Sequence, residues 1–387
     1  MKKIINFCKI CLNHDEQDFN LSDKIRSKPS VFKNGLCQVC TFETKKKNNK
    51  INWRLRKEIL KNLCSEAKNN KKGVYDCIIP ASGGKDSLRQ ATYVRDELKL
   101  KPLIISLSYP PEQITNLGAK NFSNLVENGF DCLTLTLDPV KWKELMRHSF
   151  FKFCNWCRST EMALYASPIH LSLFYEIKLL FYGENFLYTV AHGTKDEGDS
   201  WDAINLYQGG NTTKGGTKSL EYKKGSELDY YFYNYPDKNK VKDSKTKIVY
   251  LGYFLNDWYG YKNGKLAIKK GFKIRKDKAI NTGDLWGFSG VDEDFRIVNQ
   301  HLKYLKRGYG FVTDQVCEGI HQGIFSRKEA VELVKKYDGK CSEKYIEQFC
   351  KFLSITKSQY ESVVEKFVNR NLFYKENSKW KRKFEIF

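Results

Sequence analysis

Short apolar runs alternate with longer amphipathic stretches from Tyr75 onward: DCIIPA, SLRQATYVRDELKL, PLIISLSY, an amphipathic segment reaching Gly129, DCLTLTL and later KLLFYGE. Strand–helix–strand repetition of this kind predicts βαβ units, hence an α/β fold on a doubly wound, mostly parallel sheet with helices on both faces. Right-handed crossovers in such a sheet place ligands beyond the carboxyl ends of the strands. Upstream, TKKKNNK reads as a solvated linker into a helix carrying Trp53, Leu55, Ile59, Leu60 and Leu63, and the residues before it are punctuated by Cys with little periodicity. Between Gln208 and Lys247 the chain turns polar, with Gly209, Gly210, Gly215 and Gly216 near the Tyr-rich YYFYNYP, and reads as an excursion or lid. From Asp292 the period is helical again, as in SRKEAVELVKKY, which Gly339 stops. The expected division is a Cys-rich module over 1–48, an α/β core over 49–205, a polar excursion and substrate region over 206–310, and a helical subdomain over 311–387. No internal repeat recurs at a fixed period.

Composition narrows this picture. With 41% apolar and 14% aromatic residues the chain can bury a sizeable core, which excludes global disorder. No stretch approaches the ~18 uninterrupted apolar residues of a spanning helix, and Cys8 and Lys9 break the short apolar run at the N-terminus. Neither a signal peptide nor membrane insertion is expected, and 12 Cys without a secretory signal point to the cytoplasm and to metal or catalytic use of thiols. The net charge of +22, with clusters at Lys45, Lys46, Lys47 and Lys379, Lys381, Arg382, Lys383, could attract phosphate or acidic partners. Lys, Asn, Ile, Phe and Tyr are abundant together, however, as a coding-sequence bias would produce, so charge alone does not nominate nucleic acid.

The segment IIPASGGKDSLRQA carries the most chemistry. A strand runs into Ala81, Ser82, Gly83, Gly84, Lys85, Asp86 and Ser87 and a helix begins at once; two glycines allow a tight turn, and the free N–H groups of the helix start form an anion site. The string matches neither the Walker pattern nor the dinucleotide fingerprint. It resembles the PP-loop, SGGxDS, of enzymes that split ATP into AMP and pyrophosphate. That resemblance implies that Gly83, Gly84, Ser82 and Ser87 cradle pyrophosphate, that Lys85 offsets its charge, and that Asp86 positions Mg²⁺ or a polar ligand, with helix capping as its plainer role. In PP-loop proteins adenine is gripped after the second strand, here near Ser106, Leu107 and Ser108. Two CxxC pairs, Cys8 with Cys11 and Cys37 with Cys40, are separated by 25 residues and can present four thiolates to a structural Zn²⁺, with Gly35 suiting a knuckle turn. A third pair, Cys154 and Cys157, could recruit Cys317 for an Fe–S cluster or a second zinc, could form a redox pair, or could pack at a helix start. Cys64, Cys77, Cys132, Cys341 and Cys350 read as core. Gly183, Glu184 and Asn185 end an apolar run at the expected ligand edge, so Glu184 is a candidate to position nucleotide, metal or acceptor; His192, followed by Gly193, is a weaker candidate base.

With SGGKDS, the CxxC pairs, the third CxxC and YGEN in this order, the chain resembles the N-acetyl sugar amidotransferase family of the PP-loop ATP pyrophosphatases. The resemblance continues through TKIVYLGYFLNDW, KDKAINTGDLWGFSGVDEDF and GYGFVTDQVCEGIHQGIFSRKEAVELVKKYDG, nearly the whole chain; it departs around Asn256, where the family pattern carries Pro. It implies an HUP-like fold and an enzyme using ATP, Mg²⁺ and Zn²⁺. That enzyme adenylates the acetamido oxygen of a sugar of pseudaminic or legionaminic acid type, or a related nucleotide sugar, for surface polysaccharide or flagellin glycosylation. Ammonia then displaces AMP to leave an amidine. No Cys here sits in a nucleophile elbow, so the ammonia is expected from a partner or from solution; the resemblance implies a separate glutaminase and a cyclase-like partner. Two alternatives fit the same motifs: a tRNA-thiolating PP-loop enzyme with a sulfur route through Cys154, Cys157 and Cys317, and a zinc-bearing nucleic-acid-binding protein with a vestigial loop.

Overall fold

The computed structural model describes residues 5–15, 32–184, 200–204, 215–222, 225 and 228–386. Five short strands form one parallel sheet: β1 (Cys77–Pro80), β2 (Pro102–Ser108), β3 (Cys132–Thr136), β4 (Leu179–Tyr182) and β5 (Lys247–Tyr250), in the order β3-β2-β1-β4-β5. The order reverses between β1 and β4, so the ligand crevice expected of a doubly wound sheet opens at the carboxyl end of β1. The strands are apolar on both faces because both are covered. Ile79, Phe181 and Val249 face a layer that includes α2 (Trp53–Asn70) and α3 (Lys85–Asp96), while Ile78, Leu180, Tyr182 and Tyr250 face α6 (Cys157–Phe174) through Ile169 and Tyr165. The α/β fold read from the strand pattern is the one observed.

Two elements differ from the reading of the sequence. β5 lies inside the stretch assigned to the polar excursion, yet its Ile248 and Val249 complete the sheet beside β4. The run KIVY is too short and too isolated among polar residues to announce itself, and its strand character comes from docking on β4. Likewise the C-terminal segment is not helical throughout: after α10 (Phe295–Arg307), α11 (Phe311–His321), α12 (Arg327–Tyr337), α13 (Glu343–Leu353) and α14 (Lys357–Phe367), β6 (Phe373–Glu376) and β7 (Lys379–Arg382) form an antiparallel hairpin. Arg382, counted above as part of a basic tail, pairs with the buried Asp338 at 2.7 Å. Between β5 and α10 lie α8 (Gly260–Lys269), which packs on α3, and α9 (Ala279–Thr282); α7 (Lys238–Asp243) precedes β5.

The N-terminal module is not a separate body. Its Cys-rich turns and α1 (Gln38–Lys47) share one apolar cluster with α10 to α14 and with α5 (Pro139–Phe153). No helix among the described residues is long and apolar enough to cross a membrane.

Candidate functional site

The loop Ala81–Gly84 crosses from β1 to α3 at the carboxyl edge of the sheet, where the Ala81 N–H still pairs with the Ile105 carbonyl of β2 at 2.9 Å. Gly83 takes φ +83°, and a Cβ there would stand 2.7 Å from the Phe122 backbone nitrogen in α4 (Asn116–Glu127), so only glycine fits between the loop and that helix. Gly84 is the N-cap of α3 and caps it with no side chain. The first N–H groups of α3 therefore have no side-chain cap, the condition for anion binding at a helix start. Ser87 donates its hydroxyl to the Gly84 carbonyl at 2.9 Å, and Lys85 pairs with Asp86 at 2.6 Å. Ser106 and Leu107 are buried along β2, and Ser108, half-buried, ends that strand beside the loop.

Helix α8 fixes this cation–carboxylate pair from outside. Asn263 donates to Asp86 Oδ1 at 2.7 Å and accepts from Arg89 of α3, which also pairs with Asp257 at 2.6 Å and lies 4.9 Å over the Trp258 ring. The start of α8 is capped by a carboxylate from elsewhere: the Gly260 and Tyr261 N–H groups donate to Glu318 of α11 at 2.9 and 2.7 Å. Burial raises the Glu318 pKa against the pull of those two donors and of Lys85.

The acidic loop before α10 closes the other side. The Asp292 carboxylate lies close enough to Ser82 for that hydroxyl to favour its charge. Thr115 anchors the same loop, its N–H donating to the Asp292 carbonyl at 2.9 Å and its hydroxyl to Val291 at 2.6 Å. Burial pushes Asp292 above the ordinary carboxylate range and, with the Asp292 charge, pushes Glu293 up to about 8. Arg296, in the first turn of α10 and exposed to solvent, is the countercharge, and the Glu293 and Asp292 charges raise its pKa.

Residues 287–385 match the family profile of the C-terminal domain of WbpG-like lipopolysaccharide (LPS) biosynthesis proteins. No curated protein matches the chain. The WbpG-like segment thus supplies Asp292, Glu293, Arg296 and Glu318 around the loop that the core provides. None of these four was singled out in the sequence, although DEDF and QVCEG were in view; their roles come from tertiary approach, which no local spacing encodes.

Glu184 follows β4 directly and stands at the same edge. Tyr165 of α6 donates to its Oε1 at 3.1 Å, while its Oε2 is buried and has no hydrogen-bond partner among the described residues. Burial pushes its pKa up to about 7, with the Asp86 and Glu161 charges adding to the rise. Gly183 packs against Gln90 of α3. Asn185, His192 and Gly193 lie outside the described residues.

The four N-terminal cysteines meet as their spacing suggests. The sulfur atoms of Cys8, Cys11, Cys37 and Cys40 are buried and all lie within 4.8 Å of one another. Backbone N–H groups point at them: Cys37 toward Cys8 Sγ at 3.3 Å, Asn13 toward Cys11 Sγ at 3.4 Å and Cys40 toward Cys37 Sγ at 3.5 Å. Four converging sulfurs with oriented N–H donors fit a closed structural zinc site. Gly35, at φ +79°, makes the knuckle turn. Among the described residues the remaining thiols gather no second group of metal ligands. Cys317 lies near enough to Cys11 to raise its pKa, and His321, one turn on, reaches Cys40 Sγ at 3.1 Å, so both belong to the surroundings of the four-cysteine cluster. Cys154 is buried at the end of α5, and Cys157 donates to Asn155 at 3.0 Å and accepts from Asn299 at 3.1 Å. Among the described residues the N-terminal four are the one group of three or more metal-ligating side chains close enough to share an ion.

Proposed function

We propose that the protein is an ATP-dependent amidotransferase that converts an acetamido sugar to an acetamidino sugar in the making of surface polysaccharide. The observation that carries this reading is the meeting of a WbpG-like segment with an SGGKDS loop: at the start of α8, a Cβ on Gly260 would stand 3.0 Å from Glu318 of the one and 3.6 Å from Lys85 of the other. The Gly83 and Gly84 N–H groups, with Ser82, Ser87 and Lys85, bind the pyrophosphate that leaves, and Asp86 is the residue that would hold a Mg²⁺ entering with ATP, which would offset the polyphosphate charge. The adenine lies along Ser106, Leu107 and Ser108. The acetamido oxygen attacks the α-phosphate in line, and positioning and charge stabilisation perform most of the work. Once adenylated, the amide oxygen leaves as AMP when ammonia attacks the carbon. A separate glutaminase and cyclase-like partner supplies the ammonia. The thiolating alternative is weaker, because its sulfur route needs Cys317 beside Cys154 and Cys157, and Cys317 stands beside Cys11.

Incubation with ATP, Mg²⁺, ammonium and a panel of free and nucleotide-linked acetamido sugars tests the proposal. A product in which an imino group replaces the acetamido oxygen, with AMP released in step, is expected; ADP, or no acceptor-dependent AMP, overturns it.

A further inference from the structure

Three of the four clustered sulfurs take a hydrogen from the backbone of their own module. Cys8 Sγ faces the Cys37 N–H at 3.3 Å, Cys11 Sγ the Asn13 N–H at 3.4 Å and Cys37 Sγ the Cys40 N–H at 3.5 Å. Among the described residues no backbone N–H reaches Cys40 Sγ. The reason is local. Cys11 stands in a bend, and the amide two residues on is free to point back at it. Cys40 instead lies in the first turn of α1, where the next amide, that of Thr41, already pairs with the Cys37 carbonyl at 2.9 Å and those beyond continue the helical ladder. The donor set of Cys40 is filled from 281 positions away in sequence: His321 Nε2 stands 3.1 Å from Cys40 Sγ. His321 is 9% exposed, closes α11 and belongs to the WbpG-like segment.

We propose that His321 is a positioning residue of the metal centre: it donates Nε2–H to the Cys40 thiolate, so that the WbpG-like segment completes a site whose ligands all lie in the N-terminal module. Four thiolates around Zn²⁺ leave excess negative charge in a place where each cysteine is at most 1% exposed. Such charge is costly to bury without hydrogen-bond donors, and donors beyond the ligands are what spread it. A metal-bound thiolate has no hydrogen to give. The 3.1 Å contact is therefore a bond when the imidazole carries its hydrogen on Nε2, and that same hydrogen keeps Nε2 out of the ligand set. Zinc affinity and the docking of α11 are then reciprocal, because whatever factor the docked helix adds to the one, the metal adds to the other. Nothing in this inference depends on the amidotransferase reading.

Zinc affinity of the full chain, measured by competition with a chelator, tests the donor role in His321→Gln and His321→Phe. Gln carries an N–H to the place of Nε2, whereas Phe keeps the ring volume and has no hydrogen to give. His321→Phe is expected to lose about 10–100-fold in zinc affinity, with His321→Gln retaining most of it; a role in packing alone gives the reverse order. Hydrogen exchange along α11 slows on zinc loading in the wild type and less so in His321→Phe. Two measurements on the wild type stand whether or not the Phe variant folds. Nitrogen NMR of the zinc-loaded chain is expected to find the His321 hydrogen on Nε2. The cobalt-loaded chain is expected to show the charge-transfer intensity of four thiolates, unchanged in His321→Gln. Equal zinc affinity in wild type and His321→Phe, a bare Nε2, or a three-thiolate cobalt spectrum each overturns the proposal, the last by making His321 a ligand.

Discussion

Replacement of Glu318 by Ala isolates what the WbpG-like segment does for the SGGKDS loop. Its carboxylate accepts from the partly buried Gly260 and Tyr261 N–H groups at the start of α8. Losing a helix cap costs about 0.5–2 kcal/mol, and leaving a buried donor unsatisfied costs about 1–3 kcal/mol. These overlap, so the expected loss is about 2–4 kcal/mol. For a chain of this length the unfolding entropy of about 2.1 cal/mol/K per residue converts that to a fall of about 2–5 °C in melting temperature. Because Asn263 on α8 holds Asp86 at 2.7 Å, a slackened α8 also weakens ATP binding, by about tenfold for each 1.4 kcal/mol transmitted. Scanning calorimetry, titration calorimetry with ATP and hydrogen exchange at Gly260 and Tyr261 read the three effects. Glu318→Gln keeps one acceptor oxygen and falls between wild type and Ala. If the two amides stay protected in Glu318→Ala and the melting temperature does not move, the cap does not act as described.

Gly83→Ala forces a Cβ to 2.7 Å from the Phe122 backbone and an alanine into φ +83°, a conformation that alone costs about 1–2 kcal/mol; ATP binding is expected to vanish on titration while circular dichroism shows a folded chain. Asp338→Asn breaks a buried pair with Arg382 and weakens the cap that Asp338 provides to Gly310 and Thr313, so urea unfolding should show a loss of about 3–5 kcal/mol. His14 is buried among Phe7, Tyr309 and Phe384 and is held near pKa about 4, chiefly by burial and then by Arg382. Since the folded value lies below the unfolded one, the native state binds fewer protons. Stability therefore falls as pH drops from about 6.5 toward 4, by about 3 kcal/mol in all, and His14→Phe should lose that part of the pH dependence in denaturant titrations. Stripping the metal with a chelator should release one zinc per chain by atomic absorption and expose Glu43 and Lys46, which hold Tyr259 at 3.0 and 2.6 Å beside α8; a chain that binds ATP equally well without zinc refutes that link.

What could be read in the sequence was what the sequence encodes locally. Strands β1 to β4 are apolar runs bounded by turn residues, and the turn at Gly83 and Gly84 announces an anion site through backbone requirements that hold in any context. The four N-terminal cysteines pair by a spacing that knuckle geometry dictates. Cys317 went astray because a single thiol carries no information about its partner. The useful signal was its i, i+4 relation to His321, which puts both on one face of α11, toward the zinc cluster. β5 was missed because four residues make no period, and the acidic loop at Asp292 because a run such as DEDF ordinarily lies in water. Here it is buried against Arg296 and α4, where a Cβ on Gly118 would stand 2.5 Å from Asp292 Cα.

Helix α11 links the four-cysteine cluster to the SGGKDS loop. Cys317 and His321 turn toward the cysteine cluster, and between them in sequence Glu318 turns toward α8. α1 grips the same end of α8 through Glu43 and Tyr259. The cysteine cluster therefore fixes two supports of one helix start, and that helix orients Asp86. A module too small for its own core gains rigidity from the metal, and here that rigidity is delivered to the carboxylate beside Lys85. The zinc site and the WbpG-like segment are thus two parts of one frame around the loop, and substitutions in either should converge on the same defect at Asp86.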